Sequence, residues 1–150
     1  MKWITRERPK IDRIACPWLI ARFIDDQPEF LFAPPGRVLE DAQRTGATPY
    51  DVPGVELTHV GDRCSLDAFI MRYRLDHPAL QPLATIVRGA DTDRLDLAPQ
   101  CAGLLAVSLG LGRIIADDQA LLRQGFVVYD ALFAWCSGAQ GERHSWNYAS

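Results

Sequence analysis

Apolar positions recur along this chain in two rhythms, and those rhythms place most of its elements. Trp3-Ile4-Thr5 and Phe30-Leu31-Phe32 read as short strands, the second closed by Pro34-Pro35-Gly36. Between them Ile11, Ile14, Ala15, Trp18, Leu19 and Phe23 mark a helical stripe interrupted by Pro17. Proline is tolerated in a first turn, so the main helix is expected to start at Pro17 with Cys16 at or near its N-cap. A short helix over Val38 to Arg44 ends at Gly46. Val55, Leu57 and His59 alternate as one face of a third strand.

Helices dominate the remainder. Ser65 is read as the N-cap of a helix with the stripe Leu66, Phe69, Ile70 and Tyr73. Leu80, Leu83, Ala84 and Val87 form the next stripe, stopped by Gly89. Pro99 opens a helix apolar nearly all round, a pattern expected of a central, buried element. Asp117 or Asp118 caps the last helix, which Gly138 and Gly141 end. These elements predict an α+β fold, predominantly helical, with a few short N-terminal strands packed on a bundle of about four or five helices. One domain is expected over 1–137, followed by a mobile tail at 138–150.

Composition narrows the function classes. The chain has 150 residues, 48% apolar and 23% charged, with a net charge of −3. That describes one ordinary globular domain and excludes a disordered chain, a small disulfide scaffold and a nonspecific nucleic-acid coat. No apolar run has the ~20 residues of a membrane span, and no leader is visible, so a cytoplasmic location is expected. Cys16, Cys64, Cys101 and Cys136 are far apart, which suits free thiols in a reducing compartment and not a zinc ribbon. The charge is uneven. Residues 1–24 carry six cations against Glu7 and Asp12, so the rest of the chain is acidic.

That split directs attention to two candidate sites. Arg6, Arg8, Lys10 and Arg13 offer donors for a dianion, or the solvated charges of an edge strand. Cys16, at a helix start, would have its thiol lowered by the dipole and serve as a catalytic or redox-sensitive group; the alternative is a buried structural cysteine. His59 ends an apolar face just before Cys64. Asp91-Thr92-Asp93-Arg94-Leu95-Asp96 lacks the glycine and glutamate of an EF-hand. If the chain brings this loop to His59, then His59, Cys64, Asp91 and Asp93 form a site for Fe, Mn or Zn. Otherwise the aspartates cap a helix or pair with Arg88 and Arg94. No nucleophile elbow, Walker loop or dinucleotide fingerprint is present.

The run Thr5 to Ile20 (TRERPKIDRIACPWLI) resembles the start of the ChrB C-terminal domain, a chromate-resistance family. Gly54 to Phe69, Ile86 to Leu97 and Tyr129 to Cys136 agree with the same family. The resemblance implies a role in bacterial chromate resistance beside a chromate efflux transporter. Longer relatives carry a preceding region associated with transcriptional control, so DNA binding is not expected of this domain alone. The family supplies no settled mechanism. Arg6, Arg8, Arg13, Cys16, His59, Cys64, Asp91 and Asp93 are the positions that match its motifs. The function expected is binding or sensing of chromate, of a metal ion, or of both. The alternative is a metal- or thiol-dependent redox enzyme acting on chromium or on the oxidants chromate generates. A third reading is a homodimerising module whose aromatic helices, around Phe133 and Trp135, form the partner surface.

Overall fold

A computed structural model describes residues 1–146. A three-stranded parallel sheet of order β2-β1-β3 forms from β1 (Lys2–Arg6), β2 (Glu29–Ala33) and the two-residue β3 (Thr48–Pro49). Trp3 pairs with Phe30 and Ile4 with Leu31, while Trp3 and Ile4 face Thr48 and Pro49 on the other side. Parallel neighbours need crossovers, and α1 (Asp12–Leu19) and α2 (Val38–Thr45) lie in those connections.

Strand alternation divides the core between the two faces of the sheet. Trp3, Phe30 and Phe32 join the main cluster with α1, while Ile4, Leu31 and Ala33 pack with Val38 and Ala42 of α2. The other helices are α3 (Ser65–Arg72), α4 (Leu80–Asp91), α5 (Cys101–Ile114) and α6 (Asp118–Ala134). The α+β, predominantly helical architecture thus matches the sequence reading. Gly46 ends α2 with φ 75°, and the Asp117 carboxylate accepts the Ala120 N–H as the N-cap of α6.

Four local expectations change. First, α1 begins at Asp12, not at Pro17. Burial of Ile14, Ala15, Trp18 and Leu19 carries the helix through the proline, and a π-helical turn, Ile20–Ile24, follows. Second, the segment 51–59 is a looped turn and not a strand; Asp51 at φ 52° and Gly54 at φ 86° bend it. Third, Cys64 caps α3, and its N–H donates to Asp67 Oδ2 at 3.0 Å. Fourth, α1 is the central helix, packed on α3, α4 and α6. The apolar α5 lies at the periphery, with only Cys101, Leu104 and Ser108 buried.

The aromatic part of α6 turns inward. Phe133 is half-buried with its ring 5.5 Å from Trp18, and Tyr129 donates to the Ile11 carbonyl at 3.0 Å. Trp135 is half-buried against the same core. The predicted tail falls partly outside the described residues, since 147–150 are not described. No helix among the described residues is long and apolar enough to cross a membrane.

Candidate metal centre

Asp12, the first residue of α1, points its carboxylate at the start of α3. Oδ2 accepts the Ser65 N–H at 2.6 Å and Oδ1 accepts the Leu66 N–H at 3.0 Å. The acid therefore satisfies two orphan donors of a helix N-terminus while 1% exposed. Desolvation pushes its pKa above the ordinary value, against the hydrogen bond from His59.

His59 is presented by the 51–59 loop. The Asp51 N–H donates to the Leu57 carbonyl at 2.8 Å, and buried Leu57 anchors the loop in the core. One imidazole nitrogen, Nε2, then lies 3.1 Å from Asp91 Oδ2, 3.3 Å from Asp51 Oδ1 and 3.4 Å from Asp12 Oδ2. Hydrogen bonds to Asp12 and then Asp51 raise the His59 pKa to about 10. Single ligand atoms of Asp12, His59 and Asp91 all fall within 4.8 Å of one another, a spacing that can hold a metal ion.

Asp91 ends α4, so its carboxylate sits at the negative pole of that helix. Desolvation, followed by the charges of Asp12 and Asp51, raises its pKa to about 7. Asp51 is the exception among the three acids. Burial pushes its pKa up, but hydrogen bonds from His59 and Ser65 and the Arg6 charge outweigh burial and hold it low. Arg6 donates to Asp51 Oδ2 at 3.0 Å, and Arg13 Nε lies 3.6 Å from the same oxygen.

The predicted site residues separate into three groups. His59 and Asp91 meet as expected. Asp93 does not join them; it lies exposed at φ 56°, beyond the end of α4, where the chain turns outward. Cys64 also stays apart from that ligand set. It is buried, its thiol donates to Asp67 Oδ2 at 3.4 Å, and burial pushes its pKa up.

Cys16 corrects the expectation of a dipole-lowered thiolate. It lies in the second turn of α1, fully buried, and donates to Asp12 Oδ1 at 3.5 Å. Burial and then the Asp12 and Asp51 charges push its thiol well above the ordinary value.

The four basic residues diverge. Arg6 and Arg13 hold Asp51, and Arg13 also donates to the carbonyls of Arg6 and Glu7. Arg8, at φ 54°, swings the other way to the α5–α6 corner. There it binds Asp118 and the carbonyls of Gly112, Ile115 and Ala116. Lys10 runs along α5 beside Gly112.

Sequence reasoning missed Asp12 and Asp51. Asp12 carried one usable signal, an acid next to the apolar stripe that begins at Ile11 and Ile14. Asp51 carried none, because its partners lie 45 residues away at Arg6 and 14 away at Ser65.

A mostly helical α+β domain with a histidine–carboxylate cluster between α1, α4 and the 51–59 loop is the class these observations define. The chain matches the ChrB C-terminal domain over residues 3–136, and it belongs to that family. It is similar to protein ChrB of Cupriavidus metallidurans (strain ATCC 43123 / DSM 2839 / NBRC 102507 / CH34), with 33% identity over 135 residues. That match covers 88% of this chain and 40% of the relative, so the chain spans less than half of the relative's length. No solved structure matches it significantly.

Proposed function

We propose that this domain serves chromate resistance as a binding or sensing unit for a divalent metal, with Asp12, His59 and Asp91 as its ligands. The observation that carries the reading is the convergence of Asp12, Asp51 and Asp91 on His59 Nε2 at 3.1–3.4 Å. Acids that close repel one another, and a divalent cation at their centre relieves the repulsion more fully than one imidazolium. One imidazole and two carboxylates suit Fe, Mn or Zn better than Mg or Ca, which favour all-oxygen shells.

Second contacts support the assignment. The α3 N-terminus orients Asp12, and Arg6 and Arg13 fix Asp51 beside the imidazole. The His59 side chain is 39% exposed, which gives the cluster an outer face open to solvent. A metal with three protein ligands keeps positions there for water or a small anion such as chromate. That open face also supports the metal-dependent branch of the redox-enzyme alternative. The thiol-dependent branch has less support, since Cys16 and Cys64 are buried with raised pKa values. An oxyanion site built from Arg6, Arg8, Lys10 and Arg13 has less support too, because the three arginines already serve carbonyls and carboxylates.

Elemental analysis of the purified protein and calorimetry with Mn, Fe(II) and Zn test the reading. About one metal per chain is expected, lost in His59→Ala and in Asp91→Asn. Absence of stoichiometric metal together with no binding heat would overturn it, as would unchanged binding in His59→Ala.

A further inference from the structure

Helix α5 is the most apolar helix of the chain and among the least covered. At ~100° per residue, Leu109, Ala106, Gly110, Gly103, Ile114 and Val107 fall on one arc of about 160°, which also holds Ala102 and, near its C-terminal end, Arg113. All are exposed, with Leu109 at 43%, Val107 at 48% and Ile114 at 79%. A polar arc is the ordinary finding on a surface helix, and one that is apolar but for a single charge near its end marks a contact surface. The glycines strengthen the point. A Cβ at Gly103 or Gly110 would meet nothing within 4 Å, so nothing in the chain requires glycine there. Both weaken a helix relative to alanine, and both allow another backbone to approach closely.

We propose that α5 of a second copy of this chain covers the arc, antiparallel across a two-fold axis, so that the domain is a homodimer. Charge complementarity selects that occupant. At the C-terminal end of α5 stand exposed Arg113 and Lys10, whose stem lies against Gly112. Before its N-terminal end stand exposed Asp93 and Asp96, with Arg94 between them and paired with Asp96 at 2.9 Å, which leaves that end one net negative charge. A two-fold axis brings the basic end of each copy to the acidic end of the other, whereas a parallel pair would set like against like. Antiparallel helices also align opposite dipole ends. The 14 residues of α5 span about 21 Å. A contact of that size is at the low end for stable interfaces, so the dimer dissociates on dilution.

Sedimentation velocity of the whole chain across a concentration series tests this. A monomer–dimer equilibrium is expected, with Gly110→Glu raising the dissociation constant by more than about tenfold. Arg113→Glu, at an exposed end of the helix, weakens association less and serves as the second variant. Ala106→Cys, close to the two-fold axis, gives a covalent dimer under mild oxidation, against a background in which all four native cysteines are buried. Circular dichroism and metal content of Gly110→Glu match wild type if only the contact is lost. A wild type that stays monomeric at every concentration overturns the proposal. So does a dimer that Gly110→Glu and Arg113→Glu leave as tight as before, since the contact would then lie on another face.

Discussion

Helices α1 and α5 invert the usual relation between polarity and depth. α1 carries Asp12, Arg13, Cys16 and a proline, yet every one of its residues except Arg13 is buried. α5 carries one charge in fourteen residues, yet Ser108 is buried while Leu109 on the same helix is 43% exposed. The difference lies in what each helix meets. Asp12 is admitted to the interior because two backbone N–H groups of α3 and the His59 imidazole satisfy it. α5 remains outside because α1 already fills the centre between the sheet, α3, α4 and α6. Depth is set by available partners, and apolarity alone only makes burial favourable.

The largest effect is expected at the polar centre of α1. Asp12→Ala strands two helix donors and removes a carboxylate from His59, and should destabilise the fold by about 3 kcal/mol or more in urea titrations. A loss below about 1 kcal/mol would remove Asp12 from its place as the organiser of α3.

Within α5, depth predicts a clear split. Leu104→Ala, at a position 5% exposed, should cost about 2–4 kcal/mol, while Leu109→Ala should stay within about 0.5 kcal/mol in the dilute monomer. Equal losses in parallel melts would contradict the peripheral placement of the helix.

Glycine gives a smaller contrast of opposite sign. A Cβ at Gly125 would collide with Ile14 Cγ2 where α6 crosses α1, so Gly125→Ala should cost about 1–3 kcal/mol. Gly110→Ala meets open space and should stabilise the dilute monomer by up to about 1 kcal/mol.

The remaining effect is a pH signature of the metal-free protein. Folding raises the Asp91 pKa from 3.8 to about 7 and so favours its protonated form. That contribution is full below pH 3.8 and is lost as pH rises through about 7. His59 runs in the same direction at higher pH: its contribution is full below 6.5 and is lost as pH rises through about 10. Asp51, with its pKa lowered, runs the other way; its contribution is present above 3.8 and lost as pH falls through its folded value. The stability difference between wild type and Asp91→Asn should therefore shift against wild type as pH rises from 3.8 to about 7. A difference flat across that range in thermal melts counts against the buried placement of Asp91.

Half of the candidate site is legible from residue types and local position. His59, on a face ending beside a turn, and Asp91, in an aspartate-rich stretch, carry recognisable ligand chemistry. Asp93, two residues further on, looks equivalent in sequence, but the end of α4 separates the two. Asp12 reads as a minor charge within a basic segment, and only the packing of α1 on α3 turns it inward. Cys16 shows the reverse error. Its distance from the helix start depends on where α1 begins, and tertiary burial moves that start from Pro17 back to Asp12.

Periodicity and end signals alone determined the class of fold and the order of its helices, because these follow from contacts a few residues apart. Only the tertiary structure decided which helix became the centre and which acids gathered at His59. Those outcomes depend on segments around residues 12, 51, 59 and 91 competing for the same space. Local sequence records each group's chemistry but not the partner that makes its burial affordable.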